Sequence, residues 1–278
     1  WPDFPGALAA IRERLPVGVF CDLDLSFPGL SSFWLCVTQS VRRQLRERGI
    51  RERPYLGDAV PAEVHSQPSC PELLDDVRAG RLRGVVAVMR VKQPEYATLF
   101  RAHPIPTVNL GLADSPAPAT NEDEVVAATI RRLVAAGRRR VAILASGYRP
   151  HLNASFTPVA ETLKALKLRI AHEWIRDDMA PNLPGAGWEQ FRELWAAFRG
   201  KPDALLVLDD VLFRDAALAI TELGIEVPRQ LHVTVHVNRG GEPYCPFPVD
   251  RLVMDPEKYA ARLVEDMEKA GLVSAMTA

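Results

Sequence analysis

Three polar side chains in this 278-residue sequence directly follow or end apolar runs, where they suit hydrogen bonding to a small molecule. Asp209 and Asp210 follow the run from Ala204 to Leu208, and Asn238 ends the run that starts at Leu231. Carboxylates accept hydrogen bonds from hydroxyl or amino groups, whereas an amide both donates and accepts them. Because parallel strands end at one edge of a sheet, these positions predict a site that binds a polar ligand.

Each of these side chains also has a structural interpretation. An aspartate before a helix often caps it by accepting backbone N–H bonds, and a helix predicted from Val211 favours Asp210 as that cap. Asp209 suits either role. Asn238 precedes Arg239 and two glycines, so it equally suits a turn.

A second group of candidates follows the first predicted strand. Asp22, Asp24 and Ser26 suit a solvated loop slightly better than a polar wall of a ligand site. Phe33 opens the next helix and is predicted to stack on a ligand ring, whereas Trp34 suits core packing better.

Motifs for catalysis or metal binding are missing from the sequence. It has no Gly-x-Ser-x-Gly elbow and no glycine-rich phosphate loop after a strand. His232 and His236 alternate on one strand, which alone is a weak indication of zinc. The sequence therefore predicts a protein that is not an enzyme and that needs no cofactor and no metal.

Composition limits the classes of partner. A formal net charge of −1 gives no electrostatic surface for DNA within this chain, and no apolar run reaches the length of a membrane span. The four cysteines are scattered; Cys21 and Cys36 are predicted to be buried thiols, as in a reducing compartment. We therefore predict a cytoplasmic protein, and the start at Trp1 suggests part of a longer one.

These residues must be positioned by an α/β fold. Apolar runs alternate with amphipathic helical segments in two successive series, joined by a Pro- and Ala-rich segment from Ala113 to Ala119. Such alternation predicts parallel sheets with right-handed crossovers. We predict two similar lobes, each a parallel sheet flanked by helices, with a cleft between them. The first comprises residues 16–121 and about 256–270, and the second comprises residues 122–250.

The order and spacing of four segments carry a family resemblance. They are TNEDEVVAATIRRLVAAGRRRVAIL at 120–144, PDALLVLDD to ELGIEVP at 202–228, LHVTVHVN at 231–238 and LVMDPEKYA at 252–260. The chain resembles the effector-binding domain of LacI/GalR-type bacterial transcription regulators, which has the type I periplasmic-binding-protein-like fold. The resemblance covers roughly residues 16–270 and implies a small polar effector such as a sugar, a homodimer, and a DNA-binding module outside this chain.

The resemblance also bears on the site. It places Asp209 and Asn238 at ligand positions, Asp255 at a polar hinge position, and Asn182 where relatives often have a stacking aromatic. Asp255 before Pro256 equally suits a helix cap. The family's effector-gripping Arg is absent, since the matching positions read Ser155, Pro158 and Val159, and Arg149 is the predicted substitute. The predicted ligand-binding residues are therefore Asp24, Phe33, Arg149, Asn182, Asp209, Asn238 and Asp255.

Two functions compete at this point. The resemblance predicts a domain that senses a ligand, dimerises and modulates DNA binding, as in a repressor. The alternative is a solute-binding protein that delivers its ligand to a transport system. The scattered cysteines and the lack of a visible signal peptide favour the regulator.

Overall fold

The computed structural model describes residues 13–27, 30–59, 69–89, 91, 94–103, 105–110, 122–145, 162, 164–168, 174–176, 185–196 and 200–273. Within these ranges the strands are β1 Val17–Leu23, β2 Glu52–Ala59, β3 Gly84–Ala87, β4 Thr107–Val108, β5 Val141–Leu144, β6 Ile175–Arg176, β7 Ala204–Val207, β8 His232–Asn238 and β9 Asp250–Met254. The helices are α1 Phe33–Glu47, α2 Pro71–Arg78, α3 Pro94–Ala102, α4 Glu122–Ala135, α5 Ala186–Ala196, α6 Asp210–Glu222 and α7 Pro256–Lys269. None of these helices has both the length and the apolar character that a membrane-spanning segment needs.

The chain divides into two compact units. The first contains Trp1–Phe27, Ser32–Ala119 and Asp255–Ala278, and the second contains Pro28–Ser31 and Thr120–Met254. The first unit therefore includes α7 from the end of the chain, and the second includes the short segment before α1.

Each unit is built on a parallel sheet. Its strand order is β2-β1-β3-β4 in the first unit and β6-β5-β7-β8-β9 in the second. Every recorded strand pair is parallel. The prediction of an α/β fold with two parallel sheets flanked by helices is confirmed.

Burial explains why the apolar runs became strands. Every residue of β3, β5 and β7 is buried, as expected for parallel strands covered by helices on both faces. In the first unit Phe20 packs on Tyr96, with ring centroids 5.0 Å apart. In the second unit Phe191 and Phe213 lie in one apolar core. Each unit thus has a core of its own.

Two local predictions need correction. The segment from Arg53 to Leu56 by itself predicts a short second strand, but parallel pairing with β1 extends that strand to Ala59. Cys36 was predicted to be buried, yet its side chain is exposed, because the buried face of α1 is formed by Val37 and Val41. Cys21 is buried as predicted.

Candidate ligand-binding site

Asn238 is the centre of a polar cluster at the carboxyl end of β8. It is the last residue of that strand and only 2% exposed. Its Nδ2 atom donates hydrogen bonds to Ser31 Oγ at 2.8 Å and to Asp210 Oδ2 at 2.9 Å. Its Oδ1 atom is buried and has no hydrogen-bond partner among the described residues. The nitrogen of the amide thus holds the side chain in place, while the oxygen keeps its capacity to accept hydrogen bonds.

His236 lies two residues before Asn238 and therefore on the same face of β8. Its Nδ1 atom is 3.1 Å from the carbonyl oxygen of Leu208. A carbonyl oxygen only accepts, so Nδ1 carries a proton, and in a neutral ring Nε2 is then an acceptor. Nε2 is buried and has no partner in the part of the chain that the structure describes. The alternate residues of β8, Val233, Val235 and Val237, pack in the core of the second unit.

Asp209 caps helix α6. Its backbone is extended, with φ −148° and ψ 128°, and Oδ1 accepts from the backbone N–H of Val211 at 2.8 Å and of Leu212 at 3.0 Å. The sequence favoured Asp210 as the cap, which is wrong. The helix begins one residue earlier than predicted, so Asp210 lies in its first turn and its carboxylate is turned toward Asn238.

The cap leads to a stability prediction. Replacing Asp209 with Ala should lower the free energy of unfolding by about 1 kcal/mol, because two backbone N–H groups lose their acceptor. Asp209→Ser should keep most of that stability, since a serine oxygen also caps. Urea denaturation of both variants measures the difference. Equal losses in the two variants would contradict a capping role.

Asp255 has a similar structural role in the first unit. Its Oδ1 atom accepts from the backbone N–H of Glu257 at 3.1 Å and of Lys258 at 3.4 Å, so it caps α7. A cap before Pro256 was the alternative interpretation of this residue. Its predicted contact with a ligand stays a prediction.

The aromatic residues at the start of α1 pack on each other and on α7. The ring of Phe33 is 5.1 Å from that of Trp34 and 5.6 Å from that of Tyr259, both in edge-on geometry. Trp34 also meets Tyr259 at 5.9 Å. Phe33 thus forms part of an aromatic cluster, and its stacking on a ligand stays a prediction.

A second polar cluster lies at the carboxyl end of β1. Asp22 is buried and accepts a hydrogen bond from the Ser69 hydroxyl. The hydroxyl of Tyr96 accepts from the backbone N–H of Cys70 at 2.9 Å and lies 3.4 Å from Ser69 Oγ. Asp22 was among the predicted residues, whereas Ser69 and Tyr96 were missed because nothing in their local sequence indicates a contact with Asp22.

Asp24 lies outside that cluster, in a turn. Its Oδ1 atom accepts from the Ser26 hydroxyl at 2.6 Å and from the Ser26 backbone N–H at 2.9 Å. These two hydrogen bonds hold the pKa of Asp24 below its ordinary value. The Asp24 carboxylate is therefore held by hydrogen bonds within its own loop, as the interpretation of a loop residue expects.

In the second unit the predicted ligand residue Asn238 donates a hydrogen bond to Asp210, which is the neighbour of another predicted residue, Asp209. Asp24, Phe33 and Asp255 belong to the first unit. The remaining predicted ligand residues, Arg149 and Asn182, lie outside the described residues.

Ser31 and His236 were not among the candidate ligand residues. Nothing in the sequence links Ser31 to Asn238, because Ser31 stands in a loop far from it along the chain. His236 could have been found, since it alternates with Asn238 and both side chains therefore lie on one face of the strand.

His232 and His236 have separate contacts. His232 Nε2 lies 3.1 Å from Asp250 Oδ2, whereas His236 contacts a backbone carbonyl. Across the described ranges, no group of three or more His, Cys, Asp or Glu side chains could hold a metal ion.

Comparison with known proteins identifies the family. Residues 130–270, just over half of the chain, match the model of the family described as "Periplasmic binding protein-like domain". The chain therefore belongs to the periplasmic binding protein-like domain family. The comparison with curated proteins yields no match.

Solved structures of regulators have the same fold. A LacI family transcriptional regulator from Lactobacillus casei with bound glucose is 16% identical, covers 94% of this chain and 96% of its own, and has a TM-score of 0.72. Transcription regulator CcpA of Lactococcus lactis is 12% identical, with 95% and 94% covered and a TM-score of 0.66. Transcription regulator GntR from Chromobacterium violaceum is 20% identical, with 79% and 78% covered and a TM-score of 0.61. At these identities the likeness concerns the fold, and it confirms the predicted periplasmic-binding-protein-like architecture.

Proposed function

We propose that this chain is the effector-binding domain of a bacterial transcription regulator and that it binds a small polar molecule such as a sugar. The observation that carries the proposal is the buried amide of Asn238 at the carboxyl end of an interior parallel strand, since its oxygen has no donor among the described residues. In open parallel sheets, that edge is where ligands bind. The solved structures of the same fold support it, since they are regulators and one of them holds glucose.

The proposed mechanism needs two arrangements of the domain with different affinities for the effector. A ligand shifts such an equilibrium only by the difference between its affinities for the two arrangements. The shift would be passed on to DNA through a module outside this chain, in a cytoplasmic homodimer. The net charge of −1 supports a separate DNA-binding module, because this domain itself has little electrostatic attraction for DNA.

A thermal-shift screen tests the binding function. The panel comprises sugars, polyols, sugar acids, purines and amino acids. A ligand at 100 times its Kd should stabilise the domain by about 2.7 kcal/mol, which raises Tm by roughly 5 °C or more. The shift should disappear in Asn238→Ala and persist in the control Leu218→Ala, whose side chain is exposed on α6.

Two further outcomes decide the proposal. A panel in which nothing stabilises the domain, or a ligand whose effect survives Asn238→Ala, would reject the site.

For the regulatory part, the full-length protein is mixed with its operator DNA, with and without the ligand. Unchanged DNA affinity at saturating ligand would reject a regulator, even if the ligand binds.

A further inference from the structure

Three arginines gather at the amino ends of adjacent strands in the first unit. Arg51 directly precedes β2 and Arg83 directly precedes β3, while Arg14 lies on the segment that enters β1. The Arg51 carbonyl oxygen accepts from the backbone N–H of Val17 at 2.9 Å, and the backbone N–H of Arg83 donates to the Pro16 carbonyl oxygen at 3.0 Å. Because β1 lies between β2 and β3, the three arginines occupy one edge of the sheet.

Among the described residues, these three arginines have no carboxylate partner. Arg14 and Arg51 are exposed, and Arg83 is half-buried. The exposed Glu13 adjoins Arg14 in the sequence and subtracts one charge from the group without forming an ion pair with it. The guanidinium groups are therefore available to an anion from outside the domain.

The ion pairs around this edge leave further positive charge. Two buried carboxylates are each shared between two arginines. The groups are Arg42 and Arg46 around Glu52, at 3.1 and 3.8 Å, and Arg53 and Arg81 around Asp76, at 2.6 and 3.0 Å. One carboxylate cancels one positive charge, so each group keeps a surplus of one. The amino edge of this sheet is thus locally basic, although the whole chain has a net charge of −1.

We propose that the edge formed by Arg14, Arg51 and Arg83 contacts the phosphate backbone of DNA. A guanidinium group pairs with phosphate oxygens through parallel N–H bonds and keeps its charge at every physiological pH. Adjacent strands are about 4.8 Å apart, so three of them span about 10 Å. Along that length one DNA strand carries about three phosphates. The inference rests on the proposed function and gives this domain a direct, sequence-independent share in DNA affinity.

The net charge of the chain does not oppose such a local contact. At 0.15 M salt, exposed charges more than about 8 Å apart are largely screened from each other, so a phosphate at this edge interacts mainly with the arginines beside it. Ligands of parallel sheets bind at the carboxyl ends of the strands. A contact at the amino edge therefore uses residues other than those of the proposed effector site.

The position of exposed apolar side chains favours DNA over an acidic protein. The core of a protein interface is apolar. The exposed large apolar residues described in the first unit are Leu35, in the first turn of α1, and Leu56, in the second half of β2. Neither lies at the start of a strand, where the three arginines are. The arginine edge thus offers charge without an apolar core.

The salt dependence of DNA binding tests the inference. Fluorescence anisotropy gives the affinity of the full-length protein for operator DNA and for unrelated DNA of equal length, at 50 and 200 mM KCl. Each lost phosphate contact should lower the slope of log affinity against log salt by about 0.9. The ratio of the two affinities should therefore be about 3.5-fold smaller in Arg51→Gln or Arg83→Gln and about 12-fold smaller in the double variant. Both DNAs should respond alike, because phosphate contacts carry no sequence information.

Matched variants separate a phosphate contact from a structural role. Arg229→Gln removes the same charge from an exposed side chain of the second unit and should leave the slope unchanged. The double variant Arg51→Lys and Arg83→Lys keeps the charge and should restore most of the slope lost in the glutamine variant. All variants should keep Tm within about 2 °C of wild type, because the replaced side chains have no buried partner.

The outcomes distinguish this inference from the proposed function. If the glutamine double variant keeps the wild-type slope while the protein still binds DNA, the inference fails and the proposed function stands. If the wild-type protein binds no DNA even at 50 mM salt, the regulatory function fails as well. Poly-L-glutamate serves as the probe for an acidic protein. If the double variant loses binding of this probe and keeps its DNA slope, the surface accepts acidic proteins, which overturns the inference.

Discussion

Gly187→Ala is expected to lower the free energy of unfolding by about 2 kcal/mol. A Cβ atom at this position in α5 would lie 2.0 Å from the carbonyl oxygen of Leu212 and 2.8 Å from its carbonyl carbon. Both are backbone atoms of α6, so the two helices must separate, and inserting an atom into a packed interface usually costs 1–3 kcal/mol or more. The gain in helix propensity from Gly to Ala, about 1 kcal/mol, offsets only part of this cost. Urea denaturation followed by circular dichroism measures the loss.

Gly200→Ala is the matched control for this substitution. Within the described part of the chain, a Cβ atom at Gly200 would meet nothing within 4 Å, so the change in stability should stay within about 0.5 kcal/mol. If Gly187→Ala is as well tolerated as Gly200→Ala, the close approach of α5 and α6 is not a constraint on the fold.

Stability should decrease steeply above pH 10, in part because of Tyr96. Burial raises the pKa of Tyr96 to about 12. In the unfolded chain a tyrosine titrates at about 10, so between these values the folded state holds the proton more tightly than the unfolded state. The unfolded state then binds fewer protons, and the free energy of unfolding falls with rising pH by about 1.4 kcal/mol per unit, or about 3 kcal/mol in total.

Tyr96→Phe isolates this contribution from other groups that titrate at high pH. The variant loses the hydrogen bond from the backbone N–H of Cys70, so it should be less stable than wild type at pH 8. Its free energy of unfolding should nevertheless fall less between pH 10 and pH 12 than that of the wild type. Burial also raises the pKa of Tyr55, but that group titrates in both proteins and cancels in the comparison. Denaturation curves at several pH values test the prediction, and parallel declines would refute it.

Much of the fold could be predicted because its signals are local. The runs that became β3, β5 and β7 are short, apolar and uninterrupted, which is typical of parallel strands buried on both faces. The helix predicted from Val211 begins only one residue earlier, at Asp210, because amphipathic spacing repeats every turn. Predictions were less accurate where pairing with a neighbouring strand, and not composition, sets the end of a strand. In β2 the polar residues belong to the strand because they pair with β1.

The candidate site was predictable in position and less so in detail. Asp209 and Asn238 could be located at the ends of strands, since the carboxyl ends of parallel strands meet at one edge. Which aspartate caps α6 could not be decided, because a shift of one residue in the start of the helix exchanges the roles of Asp209 and Asp210. The helix begins at Asp210, which leaves that side chain turned toward Asn238.

The sequence by itself therefore determined the class of fold, the order of strands and helices along the chain, and the edge at which polar side chains collect. These follow from hydrophobic periodicity, which each segment carries within itself. Only the tertiary structure decided how those side chains are paired. Asn238 donates to Ser31, 207 residues away, and to Asp210, 28 residues away, and its oxygen is left open. A hydrogen bond between distant residues depends on which groups folding brings within about 3 Å, and sequence spacing does not encode that distance.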